Sequence, residues 1–276
     1  MSATRSFDVA RVEGEARTRR EDAVVVEEPL EIRLSGDPIA TTMRTPGHDR
    51  ELVLGFLFAE GVIASRDDVT KLARCGRPGD PALENTVDVI LAPGVKLPAH
   101  LDEGGPARRG TIITSACGVC GRRSIDDLLA RFVPLEAPVA AALSADAITS
   151  AVRGLRARQP IFERTGGCHA ASLVTFAGEP IATYEDVGRH NAVDKAIGAR
   201  VRDGAIPVDG AMLIVSGRAS FEIVQKAWAA GIAVVAAVSA PSSLAADLAE
   251  ESNMTLVGFL RPGRFNVYTH AGRVVA

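Results

Sequence analysis

Two cysteines separated by two residues, Cys117-Gly118-Val119-Cys120, are the residues of this chain best suited to chemistry. Three chemistries use such a pair: structural zinc, thioredoxin-like dithiol exchange, and carriage of sulfur as a persulfide. Structural zinc normally takes two such pairs, or one pair with a well-spaced His or Cys pair. Here only Cys168-His169, far downstream and adjacent to each other, could complete a Cys3His set. Dithiol exchange places the motif directly between a strand and its helix, but Gly121-Arg122-Arg123 intervene before the helix expected from Ser124. That insertion favours the third chemistry. Gly118 and Gly121 leave the loop free to swing, while Arg122, Arg123 and the positive end of the helix favour thiolate over thiol. A lowered pKa is what makes a cysteine a competent nucleophile at neutral pH. A pair of buried, inert thiols is the alternative, and the Gly and Arg neighbours count against it. Cys75 has no partner in sequence and reads as incidental. Cys168 follows Gly166-Gly167, which permit close backbone approach to a ligand, although a lone cysteine is more often a small core residue.

A second concentration of polar residues lies at Glu185-Asp186-Val187-Gly188-Arg189-His190-Asn191, where a strand should give way to a helix. Asn191 can cap that helix. Asp186, Arg189 and His190 read equally as a capped helix start or as a binding cluster at a strand's carboxyl end, where open α/β sheets hold ligands. Later junctions repeat the theme. Ser216-Gly217-Arg218 is a short Gly turn whose amides could receive a phosphate, and Ser239-Ala240-Pro241-Ser242-Ser243 follows the next strand. Phe259-Leu260-Arg261-Pro262-Gly263-Arg264 brings two guanidinium groups suited to bidentate phosphate contact. No G-x-G-x-x-G or P-loop accompanies them, so the argument rests on their sharing one sheet edge. A guanine or pterin nucleotide with a pyrophosphate would fit there, as would a simple mononucleotide.

The elements that must position these groups can be read from periodicity. Leu30 to Leu34 and Ile39 to Arg44 alternate as strands, Gly47 to Glu60 is helical, and Asn85 to Leu91 is a strand. Residues 1–26 read as a ragged, charged leader, and Ala92 to Gly110, rich in Pro and Gly, as a linker. Thr111 to Thr114 is a short strand feeding the cysteine pair, followed by a helix from Ser124 to Phe132 and another from Ala145 to Arg158. A hairpin turns around Gly178-Glu179-Pro180. Helices 191–202, 219–230 and 242–252 then alternate with strands 211–215, 232–239 and 254–260. Such crossovers imply a parallel sheet covered by helices. The expected division is a small N-terminal α+β domain over 1–112 and a second domain over 113–276.

Composition narrows the function classes. The 276 residues carry a formal charge of -3, which argues against wrapping a nucleic acid. No apolar run reaches the roughly 20 residues of a membrane helix, and the charged N-terminus lacks the apolar core of a secretory signal. Four cysteines in so long a chain are not a disulfide framework. The expectation is a cytoplasmic protein that contacts neither membrane nor nucleic acid.

Taken together, Cys117-Gly118-Val119-Cys120-Gly121, Thr165-Gly166-Gly167-Cys168-His169-Ala170, the string from Glu185 to Lys195, Ser216-Gly217-Arg218 and the Arg-rich tail through Tyr268-Thr269-His270 resemble the formate dehydrogenase accessory sulfurtransferase family, FdhD. The resemblance runs from about residue 30 to the end, and the Glu185 to Lys195 string is its most specific part. It implies a sulfurtransferase that takes persulfide sulfur from a cysteine desulfurase and passes it to the molybdenum or tungsten cofactor carrying two pterin guanine dinucleotides. Formate dehydrogenase would be the client. Cys117 would then be the persulfide carrier and Cys120 its partner in relay or release. Phe259, Leu260, Arg261, Pro262, Gly263 and Arg264 would contact the dinucleotide, with Ser216, Arg218, His169, Asp186, Arg189 and His190 around them. The bis(molybdopterin guanine dinucleotide) would be a bound substrate, with no resident metal. The resemblance further implies a homodimer and an α/β, cytidine-deaminase-like second domain, its mixed or parallel sheet carrying helices on both faces. Deamination itself does not fit: zinc deaminases need His-x-Glu ahead of Pro-Cys-x-x-Cys, whereas His169-Ala170-Ala171 lacks the Glu and the cysteine pair lies upstream. Two other classes remain: a non-catalytic chaperone that protects the cofactor, and a dithiol oxidoreductase.

Overall fold

A computed structural model describes residues 2–76, 81–98, 134–136 and 143–275. The Cys117–Cys120 motif, the strand expected at Thr111 to Thr114, the helix expected at Ser124 to Phe132 and the boundary at 112 lie outside the described residues.

The chain begins with β1 (Thr4–Glu13) and β2 (Ala16–Val25), a ten-pair antiparallel hairpin where a ragged leader was expected. Its two-residue loop opens on Gly14 at φ 61°, the left-handed conformation that such tight hairpins require. Both faces of the ribbon mix charged residues with scattered apolar ones such as Phe7, Val12 and Val24 and are mostly exposed, so the period-2 contrast that marks a half-buried strand is missing from its sequence. Near its base it meets the body, where Val25 lies against Gly167.

A four-stranded sheet follows, in the order β4-β3-β6-β5, built from β3 (Glu28–Leu34), β4 (Asp37–Arg44), β5 (Val69–Arg74) and β6 (Thr86–Leu91). Alternation sets its faces: Leu30, Ile32 and Leu34 are buried, while Glu31 and Arg33 pair with each other at 2.6 Å on the other side. Helix α1 (Asp49–Ala59) buries Leu52, Val53, Leu54 and Leu57 into the same core, and the short α2 (Pro81–Asn85) precedes β6.

The second sheet has six strands. After β7 (Leu143–Ser144), α3 (Ala145–Ala157) and α4 (Pro160–Thr165) come the hairpin strands β8 (His169–Thr175) and β9 (Pro180–Asp186), then α5 (Arg189–Arg202). Strands β10 (Ala211–Val215), β11 (Val234–Ala237) and β12 (Thr255–Arg261) alternate with α6 (Phe221–Ala229) and α7 (Ser243–Glu251). They run parallel, as the crossover pattern predicted, whereas β8, β9 and β13 (Arg264–Val267) add antiparallel edges, giving the order β13-β12-β11-β10-β8-β9. The sheet is therefore mixed. The last pairing is parallel, β14 (Val274–Val275) on β7.

Both faces of the six-stranded sheet are covered. Met212 and Ile214 of β10 pack with Ile148, Ala151 and Leu155 of α3. Their neighbours Leu213 and Val215 face the opposite way, into a core shared with α1, α5, α6 and α7. That core runs without interruption into Leu30, Ile32, Val87 and Val89 of the four-stranded sheet, so the two sheets are joined through apolar packing. The joint is the α1–α5 crossing, where Gly55 and Gly198 let the backbones touch. A Cβ on Gly198 would sit 1.8 Å from the Glu51 carbonyl oxygen. Among the described residues, no helix is long and apolar enough to cross a membrane.

Candidate functional site

Every strand-end residue singled out above gathers at one edge of the six-stranded sheet. The parallel strands β10, β11 and β12 end there, β9 ends there, and the antiparallel β8 starts there with His169. The junctions are stitched together by hydrogen bonds. The Ser216 amide donates to the Ala170 carbonyl at 2.9 Å, and the Ala170 amide returns a 2.8 Å bond to Ser216 Oγ. The Ser239 amide donates to Gly217 and the Phe259 amide to Ser239, at 3.2 and 3.1 Å. Ser216 is thereby spent on positioning β8, and its hydroxyl hydrogen remains to donate.

Beside this edge a cavity of about 730 Å3 opens between α3 and the strand ends. Of the residues proposed from sequence it is lined by His169, Ser216, Leu260, Arg261 and Pro262. Phe259, Gly263, Arg264 and Arg218 do not line it, nor do Asp186, Arg189 and His190. Two wall residues that sequence reasoning passed over are Arg153 and Arg156 of α3, with Val152, Leu155 and Phe162 supplying apolar surface. Their sequence signal is an i, i+3 pair of arginines flanking the apolar stripe, which reads as an ordinary solvated helix face. No carboxylate lines the cavity among the described residues.

Two side chains at the floor have perturbed acidity. Burial lowers the His169 pKa below the ordinary imidazole value, with the Arg189 guanidinium and the neighbouring His190 adding to it. His169 therefore presents a neutral imidazole at pH 7, able to accept or donate one hydrogen bond. Cys168 is only 4% exposed, and burial pushes its thiol up to about 11 against a weaker opposing contact from Thr45 Oγ1. At pH 8 such a thiol is thiolate to about one part in a thousand. Under native conditions Cys168 is expected to alkylate with iodoacetamide about a hundredfold more slowly than the exposed Cys75. Its rate should climb about tenfold per pH unit until its pKa is approached. Peptide mass spectrometry reads both rates, and equal rates at pH 8 would refute the assignment.

The Glu185 to Lys195 string divides into two roles. Asp186 is fully buried and faces inward. Its carboxylate pairs with Lys195 Nζ at 2.7 Å and accepts from the Thr45 and Gly188 amides and from Asn191 Nδ2. Lys195 also donates to the Thr45 carbonyl, and Asn191 to that of Met43, at 3.0 and 2.7 Å. Glu185 takes the Ile161 and Phe162 amides and so caps α4. These groups clamp the β9–α5 junction to the end of β4 and leave Asp186 no surface for a ligand. His190 is 7% exposed and pairs with Glu222 at 2.6 Å, next to Ser220. Arg189 remains at the edge: a Cβ on Gly217 would meet His169 Nδ1 at 3.4 Å and Arg189 Cδ at 3.8 Å, so these three residues adjoin. Deeper in, Lys226 meets Asp194 at 2.6 Å, where burial pushes the Asp194 carboxyl upward against the pull of Lys226.

Phe259 stands out differently. It is a bulky residue at φ 51°, in the bulge where the β12–β13 register shifts, and 46% of it is exposed. That conformation costs on the order of 1–2 kcal/mol. Among the described residues, no group of three or more His, Cys, Asp or Glu is arranged to hold a metal ion.

The sequence profile of the FdhD/NarQ family matches residues 25–275. The chain belongs to that family. Among its FdhD relatives, the "Sulfur carrier protein FdhD" of Anaeromyxobacter dehalogenans is 55% identical over 92% of this chain and 88% of its own. The protein of the same name from Mycobacterium tuberculosis is 50% identical, covering 92% of both chains. The crystal structure of a proposed formate dehydrogenase accessory protein from Desulfotalea psychrophila superimposes with a TM-score of 0.77 at 26% identity, over 99% of this chain and 100% of the other. The FdhD resemblance carried by the sequence motifs is thus a family membership.

Proposed function

We propose that this chain is a sulfurtransferase: Cys117 accepts the terminal sulfur of a cysteine desulfurase persulfide and passes it to a molybdenum or tungsten cofactor bearing two pterin guanine dinucleotides. The observation that carries the reading is the cavity at the strand-end edge, with guanidinium groups on its walls, a neutral imidazole at its floor and no carboxylate among its described lining residues. A polyanionic dinucleotide is the kind of substrate such a surface selects. The names of the relatives and the position of the cavity beside Leu260-Arg261-Pro262 support it further.

In the loading step the Cys117 thiolate attacks the outer sulfur of the donor persulfide. The donor S–S bond breaks, a new one forms on Cys117, and the donor cysteine leaves with the proton as its thiol. Cys120 provides a route of release: its thiolate attacks Cys117 Sγ, the pair becomes a disulfide, and the outer sulfur departs as sulfide, reduced by the two electrons the dithiol gives up. Arg122 and Arg123 favour the anionic sulfur. Leu260, Arg261 and Pro262, with Ser216 and His169, hold the dinucleotide, and Gly263, Arg264 and Arg218 flank them. The strained, exposed Phe259 suits stacking on a base, since such strain persists where a function needs it. In this reading residues 113–276 form a cytidine-deaminase-like domain that keeps a ligand edge without the deaminase Glu. Formate dehydrogenase receives the sulfurated cofactor, and the chain works in the cytoplasm as a homodimer.

Intact-protein mass after incubation with a cysteine desulfurase and cysteine tests this directly. The wild-type chain should gain the mass of one sulfur, and Cys117→Ala should not. A gain that persists in Cys117→Ala removes the proposed carrier. Full formate dehydrogenase activity with Cys117→Ala would make the chain a cofactor-holding chaperone instead.

A further inference from the structure

We propose that β1 of the N-terminal ribbon is a docking edge for a second copy of this chain. The two β1 strands run antiparallel, centred on Val9, and join two hairpins into one four-stranded sheet. Sulfur chemistry plays no part in this, which rests on the proposed homodimer and gives it an interface. The residues matched by the family profile begin at 25, so family membership does not account for the ribbon.

A two-stranded ribbon is marginal in water by itself, and an edge with unpaired amides is a template for another strand. Among the described residues, the strands of the ribbon share a sheet with each other and with no other strand. The backbone fixes which groups are open. Val26 donates to the Ala3 carbonyl at 2.9 Å, so Ala3 faces the second strand. By alternation Arg5, Phe7, Val9, Arg11 and Glu13 turn their amides and carbonyls toward β2 as well. Those of Ser6, Asp8, Ala10 and Val12 therefore point out along the free edge. Thr4 points the same way, but its carbonyl and amide are taken by the Ser2 hydroxyl at 2.7 and 3.3 Å, which closes the edge at its base.

The open groups sit at even positions, so a second β1 meets them only in registers that place even opposite even. With Val9 opposite its own copy, Ser6 meets Val12 and Asp8 meets Ala10, each twice by symmetry, for about eight main-chain hydrogen bonds. The side chains agree with this register. Arg5 stands opposite Glu13 of the second copy and Phe7 opposite its Arg11, again each twice. Phe7, 43% exposed in the single chain, then lies with Val9 at the centre, between the ion pairs. In the single chain these groups have only near neighbours: Arg5 lies over Phe7 at 5.0 Å, and Arg11 pairs with Glu13 at the surface. Sliding by two residues spoils the match. One such register sets Arg5 against Arg11, and the other sets Glu13 against Phe7 and Arg5 against the turn at Glu15. The β2 edge offers no equivalent. Its open groups are at odd positions, and pairing it with itself about its middle sets Arg20 against Arg20 or Glu21 against Glu21.

Sedimentation and native mass spectrometry of the full chain at low salt test the interface. The wild-type chain should dimerise. Arg5→Glu sets acid against Glu13, and Glu13→Arg sets cation against Arg5, so each variant alone should dimerise about tenfold more weakly. Mixing the two variants restores both pairs, and a heterodimer within about threefold of wild-type affinity should form. Ala10→Pro removes an outward amide that the ribbon itself does not use, and should also weaken the dimer by about tenfold. Arg19→Glu, the same charge change on the exposed β2, should leave dimerisation unchanged. The four substituted residues are exposed, so folding is spared. A wild-type dimer that survives all of these substitutions refutes the edge and leaves the homodimer standing on another face. Loss of the dimer in both charge variants without recovery on mixing refutes the register centred on Val9. A wild-type chain that stays monomeric at about 0.1 mM refutes the edge and the homodimer together.

Discussion

Lys195→Ala is expected to lower stability by about 3–5 kcal/mol, the cost of stranding one partner of a buried ion pair. Lys195 and Asp186 are 1% and 0% exposed and 2.7 Å apart. Removing the ammonium leaves a buried carboxylate whose remaining partners, the Thr45 and Gly188 amides and Asn191, are neutral. It also deprives the Thr45 carbonyl of its 3.0 Å donor. Since Thr45 belongs to the segment after β4 and Asp186 ends β9, the loss loosens the contact between the two sheets where the ligand edge begins. Urea unfolding reads the effect as a lower midpoint. A second variant separates charge from packing: Lys195→Met fills the space, and should recover little, because the stranded carboxylate is unchanged. Full recovery by Met would mean that the side chain's bulk, and not its charge, carries the contact.

The same network shows why part of the site could not be read from the chain. Asp186, Arg189 and His190 are polar residues within one short stretch at a strand end, and nothing local says which faces in. Asp186 is drawn inward by Thr45 and Lys195, partners distant in sequence or on the next helix, and so serves position, whereas Arg189 stays at the edge beside Gly217. By contrast Ser216 and Leu260-Arg261-Pro262 were legible, because a Gly or Pro turn at a strand's carboxyl end is a local pattern with one spatial meaning in an open sheet. Arg153 and Arg156 were not: on an amphipathic helix an arginine over a cavity and an arginine in water look alike. The fold follows the same division. Strands whose faces differ, such as Leu30 to Leu34, and the uniformly apolar β10 announce themselves by period or by length. The β1–β2 ribbon, mixed in polarity on both faces, announces only its Gly14 turn.

Gly198→Ala is expected to cost about 3 kcal/mol or more, at the upper end for an overpacked core. The added Cβ would lie 1.8 Å from the Glu51 carbonyl oxygen and 2.6 Å from the Gly55 nitrogen. Both obstacles are backbone, on a helix fixed by Leu52, Val53 and Leu57 in the shared core, so no rotamer change can relieve the clash. The helices must move apart, and the cavity this leaves adds to the loss. Gly55→Ala should behave alike, its Cβ meeting the Asp194 carbonyl oxygen at 1.9 Å. Gly154 of α3 supplies the contrast. A Cβ there meets only the guanidinium end of Arg158, at 2.9 Å, which is free to turn aside. Gly154→Ala should therefore stabilise the chain by about 0.5–1 kcal/mol through helix propensity alone. The consequence for the site follows from connectivity: α5 starts at Arg189, so pushing α5 off α1 also shifts Arg189 and the Asp186 clamp relative to His169. Gly198→Ala chain that remains folded at low temperature should bind GDP more weakly, whereas Gly154→Ala should bind it unchanged. A Gly198→Ala variant as stable as wild type would show that the α1–α5 contact is looser than backbone touching backbone, and with it the coupling between the two sheets.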